Sequence, residues 1–315
     1  MTSNVSDIIN STDLGGGLIP TEYSTQIIQD APKSSVMLTR ARRITMSRRT
    51  RTQPVLDSLP LAYWVNGDTG LKQTTKMKWS GVNITAEEMA VIVPIPESII
   101  ADTSINLWNE ITPRIGEAFG LKFDQATMFG VDKPSTFPEA VVPAAIAMGN
   151  RVENGTGVDM ADDIAALGEM LAEEGYEANG YASQPGLDWK LRRLRTSDGT
   201  PIYQERLTDS PTNGLYGLPL NPVVNGAWDP DQAMLIAADW SNFVVGIRQD
   251  ITYKWLDQAV ITDDNGKVVL NLAQQDCVAM RVVFRAGFQV TNPINSVQTN
   301  SSKRYPAAVL TPKGE

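Results

Sequence analysis

The side chains that most often do chemistry are scarce in this 315-residue sequence. There is no histidine. That removes the commonest general base and metal ligand, and with them the Ser-His-Asp and Cys-His arrangements. The single cysteine, Cys277, can form neither an intramolecular disulfide nor a thiolate zinc site. Set in the run Cys277-Val278-Ala279-Met280, it reads as a small buried hydrophobe rather than a reactive thiol. Carboxylates remain, adjacent at Glu87-Glu88, Asp162-Asp163, Glu173-Glu174 and Asp263-Asp264. Neighbouring acids on a strand face opposite ways, and on a helix they diverge by about 100°. These pairs therefore read as solvated or turn acids. Gly15-Gly16-Gly17 is followed by no Gly-Lys-Ser/Thr, so it makes a poor phosphate loop. No cluster has metal-ligand or nucleophile spacing, and no cofactor is implied.

Charge narrows the classes further. The net charge of −9 argues against a protein that holds nucleic acid by neutralising phosphates. Its distribution is uneven. Lys33 to Arg51 carries seven bases and no acid, and Val152 to Trp189 carries nine acids and no base. A basic run is usually a solvated face or a partner for acids elsewhere, and here it is expected to meet acids of another part or subunit, the 152–189 stretch being the candidate. Arg42 and Arg43 stand at its centre. Apolar residues make up 42% and charged residues 20%, as in an ordinary folded protein. No stretch approaches the roughly 20 apolar residues that span a bilayer. The polar start, Met1 to Asn10, lacks a signal-peptide pattern, so synthesis and folding in a cytoplasm are expected.

The elements that would position these residues form a definite order. A glycine-rich arm, Met1 to about Thr45, holds a short amphipathic piece from Tyr23 to Asp30. From about Met46 to Ile95 the pattern predicts one long β-hairpin. Val82, Ile84 and Ala86 share a face; Met89, Val91, Val93 and Ile95 continue on a shifted phase, which a bulge at Glu87-Glu88 would explain. Pro94 and Pro96 suit an edge. The hairpin tip, Asn66 to Gly81, is polar. Trp64 and Trp79 flank it and either anchor on a neighbouring subunit or pack within the hairpin. So long a hairpin cannot bury itself and needs another surface.

A long helix is predicted over about Ser104 to Phe129, with Trp108, Ile111, Ile115, Ala118 and Phe119 on one face, Gly130 as C-terminal cap and a kink or break at Pro113. Gly116 and Gly120 would allow another backbone to come close. Val131 to Gly157, with Pro134, Pro138 and Pro143, reads as loop-rich. A helix follows from about Asp159 to Glu174, with Met160, Ile164, Leu167 and Leu171 as its stripe and Asp159 at its N-cap. Another starts near Pro185 with Leu187, Leu191 and Leu194. Short strands come next: Leu215–Val224, Met234–Ala238, Phe243–Arg248, Ile251–Trp255, a turn at Asp264-Asn265-Gly266 into Val268–Leu272, and a last strand from Val278 to Val290.

This order resembles the HK97-fold major capsid proteins of tailed bacteriophages, and short motifs carry the likeness along nearly the whole chain. Gly15-Gly16-Gly17-Leu18-Ile19-Pro20 resembles the start of that family's N-arm. The run from Val91 to Asp102 resembles the junction of its E-loop with the spine helix, and Phe123 to Gly130 the spine helix end. Leu191 to Tyr203, Tyr216 to Leu220 and Arg281 to Val290 are similar to its later loop and strands. Pro113 within the spine and the tail from Pro293 to Glu315 have no counterpart in that pattern.

The resemblance implies an α+β chain with the HK97-like capsid fold. Its parts would be an N-arm at 1–45, an E-loop hairpin at 46–95, a P domain with the spine helix at 96–157, an α/β A domain at 158–280, a return strand at 281–298 and a C-terminal tail at 299–315. It implies a homo-oligomer of hexamers and pentamers, an icosahedral virion shell around double-stranded DNA that it does not read by sequence, and no membrane partner. Scaffolding, portal or decoration proteins would be separate chains, since the arm motif begins by about Asp13 and leaves no room for a fused scaffold. Intersubunit contacts are expected at Arg42, Arg43, Trp64, Lys72, Lys76 and Trp79. Some family members join an E-loop lysine to a neighbour's asparagine. Lys72 lies near the matching point, and Asn265, Asn271 and Asp276 lie where an acceptor would be sought, but the tip's solvated composition and the turn reading of Asn265-Gly266 lead us to expect no cross-link. An encapsulin-type nanocompartment shell is the nearest alternative, although encapsulins tend to begin with a cargo-docking helix and this chain begins polar. A carboxylate-based hydrolase is the other.

Overall fold

The computed structural model describes residues 35–60, 62–64, 71–72, 74–102, 107–194, 214–263 and 265–314, without the side chains of 101–110. The glycine-rich arm up to residue 34, the innermost part of the hairpin tip, the start of the expected long helix, the Trp108 side chain and the Asp198–Tyr203 motif lie outside the described residues.

Two sheets organise the chain. The first has strand order β1-β10-β13-β4, from Arg42–Thr45 (β1), Phe243–Leu256 (β10), Cys277–Val290 (β13) and Glu87–Pro96 (β4). β1 runs parallel to β10, and the other pairs are antiparallel. Helices Glu97–Asp102 (α2) and Leu107–Asp124 (α3) follow β4. One face of this sheet is apolar: Val282, Phe284, Ala286 and Phe288 alternate along β13 and meet Ile115, Phe119 and Phe123 of α3. Helix α3 continues through Pro113 without a break and closes in a π-turn, Gln125–Phe129, capped by Gly130 at φ 79°. The proline lies on the second turn, where a single lost backbone bond is offset by the packing of the turns beyond it. Ala118 is exposed, so the stripe is narrower than predicted, while Gly116 and Gly120 are buried.

The second sheet has the order β5-β14-β9-β6-β8-β7. It gathers Arg151–Glu153 (β5), Gly180–Ser183 (β6), Gly214–Leu215 (β7), Leu218–Pro222 (β8), Leu235–Ala238 (β9) and Ala307–Thr311 (β14). Helices Met160–Glu173 (α5) and Leu187–Arg192 (α6) cover one face with Ile164, Leu167, Leu171, Leu187 and Leu191. Helix Val141–Met148 (α4) and β5 lie in the loop-rich stretch, where no element was expected. The other face joins the core under the first sheet through Ala182, Ile236, Ala307 and Val309. Asp159 caps α5 as predicted, its side chain accepting from the Asp162 N–H at 2.9 Å.

Three further expectations are corrected. The 46–95 segment is not one hairpin. Thr50–Ser58 (β2) pairs with Lys78–Thr85 (β3), and the chain then leaves that ribbon at Ala86 to enter the first sheet as β4. The phase shift at Glu87-Glu88 marks this change of sheet, not a bulge. Phe243–Arg248 and Ile251–Trp255 are one strand, β10, with irregular register between Ile247 and Thr252. The last strand is not the one ending at Val290. The tail supplies β14, which is inserted between β5 and β9 with Ala307, Ala308, Val309 and Leu310 fully buried. The boundary expected after residue 280 falls within β13. Val260–Thr262 (β11) and Val268–Asn271 (β12) form the small hairpin turned by Gly266 at φ 77°; Asp264 lies outside the described residues.

Candidate intersubunit surface

A backbone hydrogen bond, from the Ile294 N–H to the Leu56 carbonyl at 3.1 Å, steadies β2 along its length, and the main seat of the β2–β3 ribbon is its base. There Met46, Ile84, Ala86 and Val244 form a small separate cluster. Gly246 and Gly287 face each other across β10 and β13, beneath the ribbon. A Cβ on Gly287 would lie 2.5 Å from the Thr85 carbonyl oxygen, so the glycine is what lets the ribbon cross so close. Beyond that saddle Val55 is still buried, but toward the tip the large apolar side chains of the ribbon stand in solvent. Trp64 is 101% exposed and Trp79 61%, with Leu71 and Met77 exposed as well. Trp64 therefore does not pack within the hairpin. Lys72 and Lys76 are exposed, and no hydrogen bond or ion pair joins Lys72 to Asn265, Asn271 or Asp276 among the described residues.

Arg42 and Arg43 lie exposed on β1, the edge strand beside β10. Among the described residues of the basic run, the ion pair formed is Arg49 with Glu87 at 3.0 Å, which is not an acid of 152–189. Arg40 binds the Asn221 side chain, its Nε donating at 3.0 Å. Lys33 lies outside the described residues.

Two buried carboxylates fix how these surfaces are carried. Asp124, fully buried at the end of α3, accepts from Ser35 Oγ at 2.7 Å, the Val36 and Met37 N–H groups at 3.1 Å each, and Asn225 Nδ2 at 2.8 Å. Val36–Arg40 (α1) is thereby tied to the long helix and to the loop after β8. Burial pushes its pKa up to about 6, against the lowering effect of these donors. Sequence reading missed it. The available signal was an acid in the last turn of a helix, where the dipole disfavours negative charge. Asp163 is also buried, accepting from Gly155 N at 2.6 Å and Gly157 N at 2.7 Å, which corrects its reading as solvated. Its neighbour Asp162 is exposed and accepts from Val158 N at 3.0 Å. Cys277 is buried, and burial pushes its thiol pKa up. Among the described residues no three of His, Cys, Asp and Glu come together as a metal site would need, and no helix is long and apolar enough to cross a membrane.

Comparison with known proteins gives one answer. The sequence profile of the phage capsid family matches residues 15–298. The major capsid protein of Staphylococcus phage 80alpha is 27% identical over 280 residues, covering 88% of this chain and 82% of that protein. A solved structure from Microbacterium phage Oxtober96 has 37% identity and a TM-score of 0.78, covering 99% of this chain and 96% of the other. One from Mycobacterium phage Adephagia has 32% identity and a TM-score of 0.78, covering 94% and 96%. These matches favour a capsid over the encapsulin and hydrolase alternatives. A protruding ribbon without a core of its own, on an α+β body of HK97-like fold, is the architecture of a shell subunit. The chain belongs to the phage capsid family, and its role is that of a major capsid protein.

Proposed function

We propose that copies of this chain assemble into hexamers and pentamers of an icosahedral head that encloses double-stranded DNA. The observation that carries the reading is the β2–β3 ribbon, whose aromatic and apolar side chains Trp64, Leu71, Met77 and Trp79 stand in solvent in the isolated subunit. Such a ribbon is only marginally stable alone and gains most by lying on a second copy. A contact of this kind is heterologous, the ribbon on one copy and its seat on the next, so a rotation that closes it makes a ring. Trp64 and Trp79 would anchor it, Lys72 and Lys76 would border the contact, and Arg42 and Arg43 would meet acids of a neighbour. In this reading the first sheet with α3 is the P domain, the second sheet is the A domain, and β2–β3 is the E-loop. The chain is not an enzyme and uses no cofactor; it assembles in the host cytoplasm, with scaffolding, portal or decoration proteins as candidate partners.

Sedimentation of the purified chain tests this. Large closed assemblies are expected, and removal of Asn66 to Gly81 is expected to leave a cooperatively melting body that no longer assembles. A wild-type chain that stays a compact monomer at all concentrations would contradict the reading.

A further inference from the structure

On the side of the first sheet away from the core, two cations face each other with no counter-charge between them. Along β13, Arg281 and Arg285 point away from the core row of Val282, Phe284 and Ala286, with Val283 buried between them. Lys254 of β10 sits directly opposite Arg281, and both are exposed. Like charges in that position destabilise a strand pair. On its other side Arg281 faces Ile92 of β4, which brings no counter-charge. Among the described residues neither Lys254 nor Arg281 has an ion pair or a side-chain hydrogen bond.

Four residues along, a cleft of about 320 Å³ opens between the sheet and the root of the ribbon, lined by Arg49, Ala86, Glu87, Glu88, Arg248 and Arg285. Both of its carboxylates are taken. Glu87 holds Arg49 at 3.0 Å and accepts from Thr136 Oγ1 at 3.1 Å, and Glu88 accepts from Arg285 Nε at 2.7 Å. Arg248, in the irregular stretch of β10, has neither an ion pair nor a hydrogen bond from its side chain among the described residues. Bulged positions of this kind re-aim side chains. Asp250 in the same stretch is exposed and pairs with none of these cations. The face thus carries uncompensated positive charge on a chain whose net charge is −9.

The same chain has the opposite excess elsewhere. Glu169 and Glu173 stand exposed four residues apart on α5, with Glu177 just beyond, and none has an ion pair among the described residues. Like charges at that helical spacing also repel. Each surface is penalised in an isolated copy, and each would be relieved by the other in a second copy. From this we infer that the solvent face of the first sheet, through Lys254, Arg281 and Arg248, is a docking surface for carboxylates of a second copy of the chain. Arginines already interleaved with Glu87 and Glu88 suit one more carboxylate in a fixed register better than a run of phosphates, which calls for a continuous basic track. The inference rests on the self-assembly reading, and wild-type particles are the control that keeps the two apart.

Lys254→Glu separates the possibilities. Within one copy it turns a like-charge pair into an opposite one, so its melting temperature is expected to equal or exceed that of the wild type. Between copies it sets carboxylate against carboxylate, so the concentration needed for assembly is expected to rise by about tenfold or more. The second measurement needs no variant. Particles assembled from heavy-isotope-labelled and unlabelled copies are treated with a carbodiimide, which joins a lysine amine to a touching carboxylate. Mixed-label peptides linking Lys254 to an Asp or Glu are expected. Wild-type-like assembly of Lys254→Glu, Lys254 links confined to single copies or absent, or normal shells of the variant that fail to retain DNA would each overturn the inference.

Discussion

Asp124 joins three parts of the chain through four donated hydrogen bonds, from Ser35, Val36, Met37 and Asn225. Asp124→Ala would leave those donors buried without an acceptor, and a loss of about 3 kcal/mol or more is expected in denaturant melts. Its pH dependence has a definite sign. The folded carboxyl is raised from 3.8 to about 6, so the folded state holds its proton more tightly than the unfolded chain. The stability due to that proton is fully present below pH 3.8 and is lost as pH rises through about 6. The span corresponds to about 3 kcal/mol. Melts of Asp124→Asn across that range should lack this fall, and an unchanged pH profile would show that Asp124 is not its source. Neither Asp124 nor Asp163 was legible as buried from the sequence. Helix α5, its cap and its stripe were readable because their partners are a few residues away, whereas Asp124 is explained by groups 88 and 101 residues distant.

Among the elements, β14 carries the most and was least visible. Its sequence Ala307-Ala308-Val309-Leu310-Thr311 shows no alternation because both faces of the second sheet are covered, and a short apolar run between Pro306 and Pro312 resembles a tail. The change of sheet at Ala86 was equally hidden: a phase shift in an alternating pattern fits a bulge as well as a switch of partner. The long helix, the ribbon's existence and the Gly266 hairpin were legible because each has a local signature in period or turn residues. A chain ending at Pro306 would lose the burial of Val309 and Leu310, each worth about 1.5–3 kcal/mol, and would leave β5 without a partner and β9 as an open edge beside β6. Set against the roughly 5–15 kcal/mol that holds a domain together, this is expected to abolish cooperative melting, in contrast to the ribbon-tip deletion. Circular dichroism of the truncated chain is the check, and a retained sharp transition would mean that β14 is dispensable.

At the scale of the whole molecule, the body is complete within one chain and the ribbon is not. We expect the shell to be held without covalent links, since Lys72 is solvated in the subunit and Asn265 is accounted for by the turn in which Asp263 Oδ1 accepts from its N–H at 3.0 Å. Particles boiled in detergent should then run as one band near 34.4 kDa, and a ladder of multiples abolished by Lys72→Ala would prove otherwise. The most direct test of the capsid account is cryo-electron microscopy of the purified, assembled protein. Closed icosahedral shells are expected, whose hexamers and pentamers accept the two-sheet body, with each ribbon lying on an adjacent copy. Reconstructions in which the ribbon folds back on its own subunit, or preparations with no shells at all, would contradict it.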